Sequence, residues 1–320
     1  MNRKDQHLKL ALNQNNKINS FDKYRLKYFS LPKFSLEDID TKTNICGIEI
    51  DFPFYINAIT GGSALGDKIN KDLEYVAKKT NILFFPGSYS PILKGESNYY
   101  PKGHGFNLGI DKKVDEFKKG IKDVNPKLIQ IHLNLIQELL MSEGDHNFSE
   151  WKINLENILK EIKIPVILKE TGFGMNEETI EELISIGAKC IDISGLGGTS
   201  FANIENIRSE KKRDYFEEIG YDTCKSLEYS KKFQTNIDIL ASGGVRNPLD
   251  IVKALALGAK AVGISKQFLK ILIEKGRDEL ISTIEDWKME IKYLMLISNS
   301  KNIEELKDKV YKEETWKENQ

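Results

Sequence analysis

The sequence predicts an α/β protein, a (β/α)8 TIM barrel preceded by an N-terminal leader. Three observations carry that expectation. Short apolar strands alternate with amphipathic helices from about residue 52 to Leu294. Eight such strands can be counted, the number a closed barrel needs. Nearly every strand stops on polar residues or glycine, and barrels carry their function at that end. The alternation alone would also fit a doubly wound sheet.

FPFYINAI (52–59) reads as the first strand, and Ile69, Leu73, Val76 and Ala77 share one face of the helix after it. NILFFP (81–86), GFNLGI (105–110) and KLIQIHLNL (127–135) are the next three strands. Trp151, Leu155, Ile158 and Leu159 again fall on one helix face, with Ser149 placed to cap it. IPVILKE (164–170) is a buried strand. Its helix opens at Asn176, buries Ile180, Leu183 and Ile184, and stops at Gly187. KCIDIS (189–194), IDILAS (237–242) and KAVGIS (260–265) complete the set, and Asn247-Pro248 opens the helix 249–257. Leu280, Ile284, Trp287, Ile291 and Leu294 mark a long closing helix. No domain-sized repeat, low-complexity linker or boundary interrupts this order. Residues 1–320 are therefore expected to form one domain, with 1–50 a leader packed on the barrel and 311–320 a polar tail.

Lys and Arg total 47 against 48 Asp and Glu, for a formal net charge of -1. No global basic field points to nucleic acid or a membrane surface, so an anionic ligand must meet local cations. Cys46, Cys190 and Cys224 have no metal-ligand spacing and read as free thiols. The N-terminus MNRKDQHLKLALNQNNK lacks the apolar core of a signal peptide. No stretch approaches the roughly 18 apolar residues of a membrane span. The expected location is the cytoplasm.

The strand ends carry the candidate chemistry. Thr60-Gly61-Gly62, Gly87-Ser88, Asn107, and His132 with Asn134, Gln137 and Glu138 follow the first four strands. Lys169-Glu170, Ser194 through Thr199, and Ser242-Gly243-Gly244 follow the next three. The late glycine pairs, Gly197-Gly198 and Gly243-Gly244, expose backbone N–H groups where barrels often bind phosphate. Each pair alone could equally be a tight turn. Lys169 ends an apolar strand, so its ammonium needs an electron-rich ligand or a carboxylate such as Glu170. His132 and Asn134 are two apart and share a face. A lone histidine there would more often be a satisfied core residue. Glu138 could hold Mg2+ through one carboxylate plus ligand phosphate oxygens.

Taken together, these segments resemble the type 2 isopentenyl-diphosphate delta-isomerases. RKDQHL (3–8), FDKYRLKYFSLPKFSLEDID (21–40), ITGG (59–62) and QIHLNLIQELLMSEGDHNF (130–148) are similar to family motifs. So are LKETGFGM (168–175), ISGLGGTSFANIENIR (193–208) and SGGVRNPLDIVKALALGAKAVGIS (242–265). The HLNLIQE and GGTSFANIE strings in this order are the specific part; a GG turn alone is not. The resemblance implies that Thr60, Gly61, Gly62, Ser88, Asn107, Lys169, Ser194 and Thr199 surround FMN. It implies that Gly243 and Gly244, with Ser265 nearby, hold the FMN phosphate. Arg3, Lys4, His7, His132 and Asn134 would bind the substrate diphosphate, Gln137 would bind the substrate beside its reacting carbons, and Glu138 would hold Mg2+. Gln137, Lys169 and His132 would be the catalytic set. Without the family, Arg3-Lys4 would read as a solvated terminus.

The reaction implied is the interconversion of isopentenyl and dimethylallyl diphosphate, in isoprenoid biosynthesis. FMN must be reduced, with NADPH as the reductant, although the reaction has no net redox change. A homo-oligomer, a tetramer or larger, is implied as well. Three departures stand out: Tyr89-Ser90 after Gly87-Ser88 where the family often has Gln and a basic residue, His146 in place of Arg, and Ile219-Gly220 in place of Trp-Gly. The nearest rival is an FMN-dependent barrel oxidoreductase of the 2-hydroxyacid oxidase type. It needs a base, usually His, and the loop SGLGGTSFANIE has none. A non-catalytic flavin- or phosphate-binding barrel is the other alternative.

Overall fold

The computed structural model describes residues 3–14, 19–141, 144 and 146–313, with Arg3 described by its backbone alone. A leader helix α1 (Arg3–Asn13) and strand β1 (Tyr24–Leu26) precede a hairpin of β2 (Thr43–Ile45) and β3 (Ile48–Ile50). The barrel then runs β4 (Phe54–Ile56), α2 (Ala64–Thr80), α3 (Ser90–Leu93), β5 (Phe106–Gly109), α4 (Val114–Val124), β6 (Ile129–Leu133), α5 (Leu135–Leu140) and α6 (Trp151–Glu161). It continues with β7 (Val166–Glu170), α7 (Glu177–Ser185), β8 (Cys190–Asp192), α8 (Phe201–Arg208), α9 (Thr223–Ser230) and β9 (Asp238–Ser242). It finishes with α10 (Pro248–Ala256), β10 (Ala261–Ile264), α11 (Lys266–Lys275), α12 (Arg277–Ile297) and β11 (Val310–Lys312).

Seven strands form one parallel sheet in the order β4-β10-β9-β8-β7-β6-β5. The predicted strand at 81–86 is reduced to a single parallel bridge, Ile56 to Phe84. It still closes the barrel. Phe85 N–H donates to the Ile56 carbonyl at 2.9 Å on one side, and Gly105 N–H donates to the Phe84 carbonyl at 2.8 Å on the other. Pairing ends at Pro86, which has no N–H to give.

Side chains alternate along each strand, and the two faces bury different groups. The outer face packs Phe54, Ile131, Leu168, Ile191 and Val262 under the helices. The inner face is layered. Tyr55, Phe85, Leu128, Ile167, Cys190, Leu240 and Ala261 fill the bottom. The β2–β3 hairpin plugs that end, with Ile45 fully buried against the same layer. Its turn uses Cys46 at φ 50° and Gly47 at φ 86°, the left-handed pair a two-residue hairpin requires. Above lies a polar layer of Asn57, Gln130, Asp192 and Ser242. The mouth sits on top.

Helix ends mostly follow the expected chemistry. Asn176 accepts from Thr179 N–H and Asn247 from Asp250 N–H, with Pro248 in the first turn. Ser149 does not cap α6. Its N–H and hydroxyl both go to Asn147 Oδ1, and Glu150 takes the cap position without a side-chain bond. The start of the expected tail is ordered as β11, which pairs antiparallel with β1. The rest of that tail, 314–320, lies outside the described residues. No described helix is long and apolar enough to cross a membrane.

Candidate active site

One cavity of about 850 Å³ opens at the C-terminal ends of the strands. That volume lies in the range of small-ligand and cofactor sites, about 300–1,000 Å³. Lys4, His7, Thr60, Gly62, Ser88, Asn107, His132, Asn134, Gln137, Glu138, Lys169, Ser194, Thr199, Gly243, Gly244 and Ser265 all line it. Two predicted site residues stand apart. Gly61 is buried behind the wall, where a Cβ would come within 3.3 Å of Asn70 Nδ2. The Arg3 side chain lies outside the described residues.

The leader forms part of the wall. Helix α1 brings Lys4, His7, Leu8 and Ala11 to the cavity. His7 Nε2 lies 3.0 Å from Glu205 Oε1 on α8. Gln137 Nε2 donates to the same oxygen at 3.3 Å, and Arg208 pairs with the other. Burial acts to raise Glu205, but hydrogen bonds from His7 and Gln137 and the charge of Arg208 hold it below the usual carboxylate range. The sequence reading gave Glu205 no role, although it lies in the quoted GGTSFANIE string. A carboxylate on the buried side of a short helix could have been flagged from that position alone.

Asn134 precedes α5 but does not cap it. Its Nδ2 instead donates to Glu138 Oε1 at 2.7 Å, four residues on, and so fixes that carboxylate at the mouth. Lys169 ends β7 opposite His132 and Asp192 in the register. Its Nζ donates to the Glu170 main-chain carbonyl at 2.7 Å, not to the Glu170 carboxylate. Glu170 Oε2 accepts three successive N–H groups, from Thr171, Gly172 and Phe173, at 2.5–2.6 Å. Burial pushes Glu170 up to about 7, while those three donors favour its charged form. A structural ion pair between Lys169 and Glu170 is therefore not what holds the lysine. Burial, and then the charge of Lys169, push His132 down to about 4, so its ring is neutral at neutral pH.

The far wall suits a phosphate-bearing cofactor. Gly243 and Gly244 are both left-handed, at φ 97° and 78°, and α11 begins at Lys266 beside them. Successive open N–H groups and a helix start favour a phosphate. Ser194 holds a strained φ of 29°, with its N–H on Asp192 Oδ1. Thr171 Oγ1 lines the cavity buried and, among the described residues, without a partner. Lys266 also lines it, its Nζ bonded to the Gln14 carbonyl, and burial lowers its pKa. Of the three departures, Tyr89 turns into the core, with its hydroxyl on Asp123 at 2.6 Å. His146 and Ile219 are exposed.

The family model described as FMN-dependent dehydrogenase matches residues 133–313. The isopentenyl-diphosphate delta-isomerase of Streptococcus gordonii is 44% identical over 97% of this chain and 95% of its own. Its counterpart from Streptococcus mutans is 43% identical over 97% and 96%. Among solved structures, the flavin-binding domain of baker's yeast flavocytochrome b2 superposes with a TM-score of 0.67 at 19% identity, covering 96% of this chain and 81% of that one. A mandelate oxidase does so with a TM-score of 0.64 at 16% identity, covering 95% and 91%. The two structures share the barrel fold. The full-length sequence relatives and the flavin family model go further: the chain belongs to the FMN-dependent, type 2 isopentenyl-diphosphate delta-isomerases.

Proposed function

We propose that this cavity interconverts isopentenyl and dimethylallyl diphosphate with reduced FMN and Mg2+, with NADPH as the reductant. The observation that supports it most is the meeting of three distant strings. His7 from RKDQHL, Gln137 from HLNLIQE and Glu205 from GGTSFANIE converge on one carboxylate. The fit to FMN rests on the paired left-handed glycines, the α11 start and the orphaned Thr171 hydroxyl. Thr60, Gly62, Ser88, Asn107, Lys169, Ser194 and Thr199 would surround the ring, with Gly61 behind them. Gly243, Gly244 and Ser265 would hold the phosphate. Bound and reduced, the flavin would supply the electron-rich group that supports proton addition and removal.

The chain's own residues do the positioning. Lys169 places a cation where negative charge gathers. Arg3, Lys4 and His7 hold the diphosphate from the leader, joined by His132. Asn134 aims Glu138, which would hold Mg2+ through one carboxylate. Among the described residues no cluster of three His, Cys, Asp or Glu side chains forms a metal cage. Phosphate oxygens and water would supply the remaining ligands, as Mg2+ usually prefers. Gln137, anchored on Glu205, orients the five-carbon chain as one proton is added and another removed. A cytoplasmic homo-oligomer, a tetramer or larger, built from one domain per chain completes the reading. An anaerobic assay with FMN, Mg2+, NADPH and isopentenyl diphosphate tests it. Dimethylallyl diphosphate should form without stoichiometric NADPH consumption, and no turnover under these conditions would overturn the reading.

A further inference from the structure

A chain of hydrogen bonds crosses the barrel interior beneath the cavity. Asn57 Nδ2 donates to Asp192 Oδ2 at 3.1 Å. Gln130 Nε2 donates to Asn57 Oδ1 at 2.9 Å. Asn107 Nδ2 donates to Gln130 Oε1 at 3.1 Å, and His132 Nδ1 lies 2.8 Å from Asn107 Oδ1. Asn57, Gln130, Asn107 and Asp192 are at most 3% exposed, so water cannot substitute for a missing partner.

The direction of this chain follows from donor and acceptor counts. The Ala58 backbone N–H points at Asn57 Oδ1 at 2.9 Å, and a backbone N–H only donates. That atom is therefore an oxygen, and the Asn57 amide faces Asp192 with its nitrogen. Gln130 must then give its nitrogen to Asn57 and its oxygen to Asn107. Asn107 must give its nitrogen to Gln130 and its oxygen to His132. An oxygen at that distance requires a hydrogen on His132 Nδ1. Asp192 also accepts from the Ser194 N–H and sits against the Ser242 hydroxyl, which fixes its orientation. Gly263 leaves the room this needs, because a Cβ there would come within 2.5 Å of Asn57 Nδ2.

We propose that Asp192, Asn57, Gln130 and Asn107 form a one-way relay that fixes His132 as its Nδ1–H tautomer and turns the Nε2 lone pair to the cavity. Gln130, which does not line the cavity, is then a positioning residue that acts through His132, and Asn57 at the cavity floor passes the same orientation on. His132 enters ligand binding as an acceptor, and it can donate to a diphosphate oxygen only after Nε2 takes up a proton from solvent. The charged groups around the ring are Lys169, Lys4 and Lys112 on the positive side and Asp111 on the negative. Three cations to one anion oppose that extra proton until an anion arrives. The tautomer can be read with no substrate present, so this inference stands or falls apart from the isomerase assay.

Nitrogen-15 correlation spectra of the full-length, flavin-loaded protein at pH 7 test it. The sequence has 4 histidines, and loss of a signal in His132→Gln assigns the ring. Expected is a protonated Nδ1 and a bare Nε2 in the unaltered protein. Gln130→Met, near in shape but without polar atoms, frees Asn107 to flip and should give mixed tautomers. Asn107→Asp keeps an acceptor and should retain Nδ1–H, while Asn107→Leu should lose it. Nε2–H in the unaltered protein, or unchanged Nδ1–H in folded Gln130→Met, overturns the relay. Should Gln130→Met fail to fold, the two Asn107 variants decide, and the same tautomer in both overturns it.

Discussion

His7 on the leader helix and Glu205 on α8 meet at 3.0 Å, His7 in the cavity wall and Glu205 buried behind it. The contact joins the chain's first helix to a residue 198 positions later in the sequence. Glu205→Gln keeps the shape and removes the charge. A hydrogen bond to a charged group is worth about 1.5–3 kcal/mol. The variant should raise the substrate KM by roughly tenfold or more, and limited proteolysis should cut the leader faster. The melting temperature should fall as well, because Arg208 loses the charge it pairs with. Unchanged KM and unchanged cutting would mean that the leader is seated by other contacts.

Lys169 has no carboxylate partner among the described residues, and only the Glu170 carbonyl accepts from it. Lys169→Ala should weaken FMN binding and make the flavin harder to reduce, since a cation beside developing negative charge is lost. Flavin titration and a redox titration read both effects. A variant with unchanged affinity and potential would leave Lys169 a structural role only.

Much of this site was legible in the sequence because barrel strands end where function sits. Lys169 is visible as a charge terminating IPVIL, and His132 with Asn134 as polar residues ending a strand. Asn57 and Gln130 were not legible. Asn57 is a single polar residue in an apolar run, and Gln130 shows only that it shares a face with His132 and Asn134; the closed barrel alone shows that the two strands aim Asn57 and Gln130 at each other. The apolar run 81–86 was legible as a strand, but its pairing is cut short at Pro86 and reduces to the Ile56–Phe84 bridge. Ser149 failed as a cap because Asn147 competes for its hydroxyl from two residues away. The β1–β11 pairing joins the two ends of the chain, and no local pattern announces so distant a contact. Gly61 was grouped with its neighbours Thr60 and Gly62, yet it packs on Asn70 behind them.

Gly243 and Gly187 have nearly the same left-handed φ, 97° and 96°, in different surroundings. A Cβ at Gly243 would meet the Gly195 carbonyl oxygen at 2.1 Å, while one at Gly187 would meet nothing within 4 Å. Gly187→Ala should cost only the backbone strain, roughly 1–2 kcal/mol, and leave FMN binding intact. Gly243→Ala should cost more and lose FMN affinity by at least tenfold. Thermal melts with and without added FMN separate the two. Equal flavin stabilisation of both variants would mean that the Gly243 loop does not hold the cofactor.

The His132 ring is held down to about 4, against 6.5 for an ordinary histidine. Between those values the unfolded chain binds a proton that the folded chain does not. Stability contributed by the neutral ring is therefore complete above about 6.5 and is lost as pH falls toward about 4. His132→Gln should show a shallower loss over that window. The difference is at most roughly 3 kcal/mol, and smaller to the extent that the half-buried ring meets solvent. Urea melts from pH 7 to pH 4 measure it. A steeper loss in the variant would mean that the folded protein carries a charged ring.

Gln137 and Glu138 are adjacent on the first turns of α5, but their partners differ. Gln137 reaches back to Glu205, while Glu138 is aimed by Asn134. Glu138 brings a carboxylate to the mouth, and Mg2+ prefers hard oxygen ligands while keeping several waters. Glu138→Gln should raise the Mg2+ concentration needed and weaken diphosphate binding along with it. Gln137 has no charge to offer a metal. Gln137→Ala should leave flavin and Mg2+ binding nearly intact and slow kcat by about 10²–10⁴-fold, the scale for losing a proton-transfer or positioning group. Asn134→Ala provides the internal check, because removing the Nδ2 donor to Glu138 should reproduce a milder Mg2+ defect without the kcat loss. Measuring kcat, KM and Mg2+ dependence for the three variants decides between the roles. Equal Mg2+ defects at Gln137 and Glu138, or a normal kcat in Gln137→Ala, would make the division between them wrong.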